Sequence, residues 1–282
     1  MQIKTYLLIF FFPLFFFSQS HRFIYSYQFV PDSTKIDSVV TENTRLEVYK
    51  DHSEFLSDIM AKKDSAIISA VEKKQSMESA NFPDAQYKSK VYKNKKLIYT
   101  VENIGIQPFK VVRKLDLPWK LLSETKKIQG YNCQKAILDF GGRNWEAWFT
   151  KEIPIQDGPS VFFNLPGLIV KINDLKHHHT FLLEGNYKPT TSKTNFVDKM
   201  YFTPIEISPL QFNSKWNTFR KHPVGATEQF MIMNPGLLSG KSFDNNGNEI
   251  DMTQKKREEQ KYAEMQLIHN NNFLDLHLYK VN

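Results

Sequence analysis

Three adjacent histidines, His177, His178 and His179, are the residues of this chain best suited to metal chemistry, because neutral imidazole is a common ligand of transition metals. In an extended chain only the outer two share a face. No glutamate or further histidine follows at a spacing such as the helical His-Glu-x-x-His pattern, so the run reads as a solvated loop between two strands. Residues 235–242, Pro-Gly-Leu-Leu-Ser-Gly-Lys-Ser, end like a phosphate-binding loop. There, however, Gly236 stands one residue too close to Gly240-Lys241-Ser242 for the backbone amides to wrap a phosphate in the usual way. From Asp244 to Glu249 oxygen ligands alternate as in a calcium loop, yet Glu249 occupies the place that needs glycine and Lys255 the place of the bidentate glutamate. A turn with Gly247 in a left-handed conformation accounts for the same residues.

Cys133 is the only cysteine, so the chain has no internal disulfide. Its apolar, strand-like neighbours make it a small buried hydrophobe, with none of the electropositive, accessible setting that a thiolate nucleophile requires. Neither a Gly-x-Ser-x-Gly elbow nor a Rossmann glycine pattern occurs, and no carboxylate pair stands out among the many Asp and Glu residues. The residues therefore nominate no catalytic, cofactor-binding or metal-binding side chain.

The elements that would carry any site begin after a leader. Lys4 and the apolar run Leu7 to Phe17, too short and too aromatic for a stable bilayer-spanning helix, form a secretory signal peptide over residues 1–20 with cleavage near Ser18 to Ser20. The expected location is secreted, periplasmic or extracellular. About 260 residues remain, enough for one large domain over residues 21–282 with a mixed helical C-terminal segment. With 41% hydrophobic, 24% charged and 14% aromatic residues the composition is that of a folded chain. The formal charge of +7 is spread among acidic residues, which marks a solvated surface: peripheral association with an anionic membrane is compatible with it, and nucleic acid is not an expected partner.

Alternating apolar residues predict a strand over residues 22–30 and shorter ones over 44–50 and 54–57. Met60, Ile67, Ile68 and Val71 place one apolar side on a helix over 59–79, which Pro83 terminates. Strand-like segments follow at 88–92, 96–101, 109–115, 128–140, 145–150, 167–172 and 180–186, with turns at Lys93-Asn94-Lys95 and Gly141-Gly142. Helices are expected over 209–221 and 251–268, and a closing strand over 273–281 with Leu274, Leu276 and Leu278 on its core face. This pattern predicts an α+β protein dominated by an antiparallel sheet.

One stretch carries a resemblance. Gly130-Tyr131-Asn132-Cys133, Ala147-Trp148, Ile153-Pro154, Gly158-Pro159 and Leu165-Pro166-Gly167-Leu168-Ile169, in that order, resemble the GLPGLI family of exported proteins of Bacteroidetes-type bacteria, a family without an assigned activity. The signature's first glycine is Asn164 here, which marks a position needing positive φ, since Asn tolerates that region best among non-glycine residues. Pro166-Gly167 has the order of a type II turn's central pair. A similar order of motifs in exported proteins implies a curved, half-barrel-like sheet over a few helices. The role implied is a non-catalytic envelope module for an apolar ligand or an outer-membrane protein partner, with a secreted hydrolase lacking a recognisable motif as the alternative. No cofactor is implied.

Overall fold

A computed structural model describes residues 20–73, 83–105, 107–189, 203–225 and 252–281. The leader, the 235–242 segment and the 244–249 turn lie outside the described residues, as does residue 74 onward of the first predicted helix. Strands β1 (His21–Phe29), β2 (Val40–Val48) and β3 (His52–Ser57) precede helix α1 (Asp58–Glu72). Then come β4 (Lys90–Asn94), β5 (Ile98–Ile104), β6 (Gln107–Arg113), β7 (Lys120–Ile128), β8 (Tyr131–Phe140), β9 (Arg143–Thr150), β10 (Leu168–Asp174) and β11 (His179–Tyr187). The C-terminal part holds β12 (Ile205–Ile207), α2 (Pro209–Lys221) and α3 (Met252–His269).

The strands form one sheet in the order β12-β6-β5-β4-β3-β2-β1-β11-β10-β9-β8-β7. It is two meanders, β1 to β6 and β7 to β11, zipped together where β1 pairs with β11, for example Tyr27 opposite Phe181. All neighbours are antiparallel except the three-residue β12, which lies parallel to β6 and so makes the sheet mixed. Chain reach forces the curvature. β6 and β7 stand ten strand positions apart, about 48 Å across a flat sheet, whereas the connection through residues 114–119 spans at most about 25 Å. The two halves must fold toward each other, and they do: the Arg113 guanidinium at the end of β6 lies 5.9 Å from the Phe140 ring centre at the end of β8. The expected curved, half-barrel-like α+β fold is the observed one, with the sheet left open.

Loop residues fill the concave face. Between β9 and β10 the chain drops inward and buries Val161, Phe162 and Leu165 completely among β-sheet residues including Tyr25, Trp145 and Leu168. Phe162 packs against Trp145 with ring centres 4.6 Å apart, and the Trp119 indole donates to the Phe163 carbonyl at 2.8 Å. Asn164 has φ 70°, as the sequence predicts. Pro166-Gly167 does not form a type II turn. Gly167 N donates to the Leu165 carbonyl at 2.7 Å, closing a three-residue turn on Pro166, and Gly167 takes φ 149° because a Cβ there would sit 2.0 Å from the Thr150 carbonyl oxygen.

Helix ends follow local chemistry. The Ser57 hydroxyl accepts from the amides of Ile59 and Met60 at the start of α1, with Asp58 in its first turn. Ser208 and Gln211 form a capping box on α2, with Pro209 following the cap. α1 rests on β2 and β3, and α2 buries Phe212 and Trp216, one turn apart, against β5 and β6.

Two expected elements differ, and one strand was not expected. The predicted strand over 128–140 is two strands joined by a two-residue turn at Gln129 (φ 48°) and Gly130 (φ 86°), and β7 was not expected at all. β7 is a sheet edge whose residues are almost all exposed, so its Lys, Glu, Ser and Thr show no alternation; such charge blunts an open edge against pairing with other chains. The closing strand over 273–281 is a series of turns: the Asp275 carboxylate caps the amides of His277 and Leu278 at 3.1 Å each, leaving Leu278 buried, Leu274 partly buried and Leu276 exposed. The side-chain cap competes with a strand ladder for the same backbone donors.

Candidate functional site

The histidine run splits. His177 is exposed in a turn with φ 56°, His178 is half-buried, and His179 is buried as the first residue of β11. His177 and His179 do not share a face, because the turn breaks the extended period before the strand begins, and the run is not the solvated loop expected. Among the described residues no three His, Cys, Asp or Glu side chains come together as a metal site. Cys133 is buried, and that burial pushes its thiol up to about 11, so the thiolate is scarce at neutral pH.

His179 belongs instead to a buried polar network at one end of the sheet. The Tyr27 hydroxyl on β1 and Nδ1 of His179 are hydrogen-bonded across 2.7 Å, and Nε2 has no hydrogen-bond partner among the described residues. The His179 amide donates to Oδ1 of Asp174 at 2.8 Å, and Oδ2 of Asp174 lies 3.2 Å from Nη1 of Arg143. Arg143 Nη2 also reaches Oδ1 of Asn272 and the Phe273 carbonyl, both at 2.6 Å, and Nε reaches the same carbonyl at 3.0 Å. Asn272 in turn donates to the Val30 carbonyl at 2.7 Å. Burial first, and the Arg143 charge second, hold the imidazole pKa well below its ordinary value. The site lacks a nucleophile and Arg143 is closed off by its own partners, so what the network does chemically is fasten the C-terminal segment to the ends of β1, β9 and β10.

The second cluster is less closed. Where α2 meets the C-terminal segment, a groove of about 220 Å³ is lined by Trp216, Arg220, Phe273, Tyr279 and Lys280 with neighbouring apolar residues. Trp216 meets the ring of Phe273 edge-on at 5.3 Å and that of Tyr279 at 5.1 Å, while Phe273 and Tyr279 stack at 4.0 Å. The Tyr279 hydroxyl is anchored 2.9 Å from Glu102, whose carboxyl is itself raised by burial. Asn213 and Asn217 on α2 hold the Lys280 carbonyl at 2.8 and 2.9 Å, fixing the segment against the helix. Trp216 is 7% exposed, yet its indole N–H has no acceptor. Arg220, one turn further on the same helix face, and Lys280 make no ion pair among the described residues, and the lining has no carboxylate. Phe212, Trp216 and Arg220 at four-residue spacing were legible as one face of a helix. That this face meets residues 271–281 was not, because the alternation there predicts a strand and the segment instead forms turns held against α2.

The family described as N-glycanase peptide, N-terminal domain, matches residues 36–193, more than half of the chain. Two solved structures titled as PNGF-II, in a C2 and in a P21 space group, resemble the fold with 17% and 18% identity and TM-scores of 0.49 and 0.47. Each comparison covers 70% of this chain, which spans only 32% of the length of those structures. No curated protein matches. The matched family replaces the GLPGLI assignment. The residues that carried it lie inside the matched stretch, and among them Leu165 to Ile169 form the tight turn that leads the buried loop into β10. The same finding overturns the expected envelope module for an apolar ligand or outer-membrane partner. The concave face that was to hold an apolar ligand is occupied by Phe162 and Leu165.

Proposed function

The chain belongs to the N-glycanase N-terminal-domain family, and on that premise we propose that it recognises the carbohydrate of N-glycosylated protein. The family match over residues 36–193 carries this reading. It takes in β2 through β11 together with the loop that fills the concave face, while β1, which joins the two meanders, lies outside it. Export through the leader expected over residues 1–20 fits such a role, because it delivers the chain to extracellular glycoprotein.

The test is calorimetric titration of the chain lacking its leader with an N-glycosylated peptide and with the same peptide free of glycan. Recognition predicts binding of the glycosylated form alone. Equal affinity for both peptides, or binding of neither, overturns the proposal.

A further inference from the structure

The groove beside α2 lies outside the stretch matched by the family, and its chemistry is specific enough to name a ligand class. The geometry points to a subsite there for a single acidic sugar ring, one bearing a carboxylate. This inference rests on the carbohydrate-recognition reading and assigns that reading a place and a charge preference.

Three observations carry it. The first is the unused hydrogen-bonding capacity of Trp216, whose buried indole N–H lacks any acceptor. A buried donor without a partner costs stability, and because Nε1 is enclosed, an entering hydroxyl or carboxylate oxygen reaches it only as the indole or the facing segment moves aside. The second is charge. Arg220 and Lys280 both line the groove, neither has an ion-pair partner among the described residues, and no Asp or Glu joins them in the lining. An anion therefore meets two cations without displacing an internal carboxylate, and a guanidinium suits the two oxygens of a carboxylate. The third is shape and surface. Phe273 and Tyr279 offer partly exposed aromatic surface beside the polar groups, which suits the apolar C–H face of a sugar. At about 220 Å³ the groove is smaller than the roughly 300–1,000 Å³ of pockets that enclose drug-sized ligands, so it takes one ring rather than an extended chain.

The four tryptophans supply the readout. The indoles of Trp119, Trp145 and Trp148 donate to Phe163 O, Phe140 O and Glu146 Oε1, and Trp216 alone is unbonded. In a proton–nitrogen correlation spectrum of the leaderless chain, with the Trp216 indole signal assigned by its loss in Trp216→Phe, methyl glucuronide is titrated against methyl glucoside. The two probes differ in one carboxylate. The expected result is a saturable shift of the Trp216 signal with the glucuronide, the other three indoles staying in place, and binding of the glucoside at least about tenfold weaker. Arg220→Gln is expected to weaken the glucuronide by about tenfold and to leave the glucoside unchanged. An unmoved Trp216 signal, or equal responses to both probes, overturns the inference. If the glycopeptide binds in the calorimeter while Trp216 stays unmoved, the subsite fails and recognition stands. A Trp216 response to glucuronide with no discrimination between the peptides leaves the subsite and removes the proposed function.

Discussion

Arg143 and Trp216 are both buried polar side chains held against the same C-terminal segment, but their surroundings are opposite. Each of the three guanidinium nitrogens of Arg143 faces an acceptor: Asp174, Asn272 and the Phe273 carbonyl. Among the described residues Trp216, beside Phe273, faces none, and the nearby Arg220 and Lys280 make no ion pair. The guanidinium of Arg143 has its hydrogen-bonding capacity taken up by the fold, whereas the indole N–H of Trp216 does not. Residue type alone would rank the two regions the other way, since histidine, arginine and aspartate at the ends of β1, β9 and β10 look the more catalytic.

Mutations sharpen or break that contrast. Arg143→Leu leaves Asp174 buried without its cation and is expected to cost about 3–5 kcal/mol in chemical denaturation; a loss under about 1 kcal/mol would mean that the network holds nothing. Gly167→Ala, which drives a methyl against the Thr150 carbonyl oxygen, is expected to cost about 3 kcal/mol by the same measurement, with an unchanged unfolding midpoint as the contrary result. The two buried tryptophans give the direct comparison. Trp145→Phe removes a bonded donor from a packed site and is expected to cost about 2–3 kcal/mol, while Trp216→Phe removes an unbonded one and is expected to cost less than about 1 kcal/mol. Equal losses would place Trp216 in the structural class.

Acid gives a smaller effect. The folded imidazole of His179 is held neutral by burial and by Arg143, whereas the unfolded chain's His takes up a proton below its ordinary pKa of 6.5. The unfolded state then binds more protons, so His179 removes up to about 1.4 kcal/mol of stability per pH unit as pH falls below 6.5, until the folded imidazole itself titrates. Denaturation midpoints between pH 7 and pH 5 should show this slope in the natural chain and lose it in His179→Gln; identical slopes would remove His179 from the account. The smallest effect belongs to Arg220→Gln, which is exposed and unpaired and should alter stability by no more than about 0.5 kcal/mol.

Local chemistry made several of these features legible. The boundaries of α2 follow from a proline, a capping serine and apolar residues at helical spacing, and the observed helix has the predicted ends. Asn164 and the Gly141-Gly142 pair, with φ 70°, 62° and 76°, are positions where the residue type itself reports the backbone region. β7 was not legible because an exposed edge strand has no buried face to impose a period of two. The strand expected over 273–281 had the alternation but not the outcome: Asp275 ties back to Arg113 at 2.6 Å and caps the following turn, contacts that connect residues far apart in the chain. The family was misread for a related reason. The Leu165-Pro166-Gly167-Leu168-Ile169 signature records a turn that Thr150 forces on the backbone, and the same steric demand can be met in chains of different descent.

The sequence by itself determined the strand-rich α+β class, the meander of short neighbouring strands, the ends of α2 and the positive φ of Asn164 and of Gly141-Gly142. These depend on contacts within a few residues, where steric limits and side-chain periodicity act directly. Only the tertiary structure decided the curvature, the filling of the concave face by residues 161–165, the burial of His179 against Tyr27, and the placing of the Trp216 indole N–H beside Arg220 and Lys280 with no acceptor among the described residues. Each of these joins segments tens to hundreds of residues apart, and whether a polar group ends satisfied depends on which distant atoms packing brings to it.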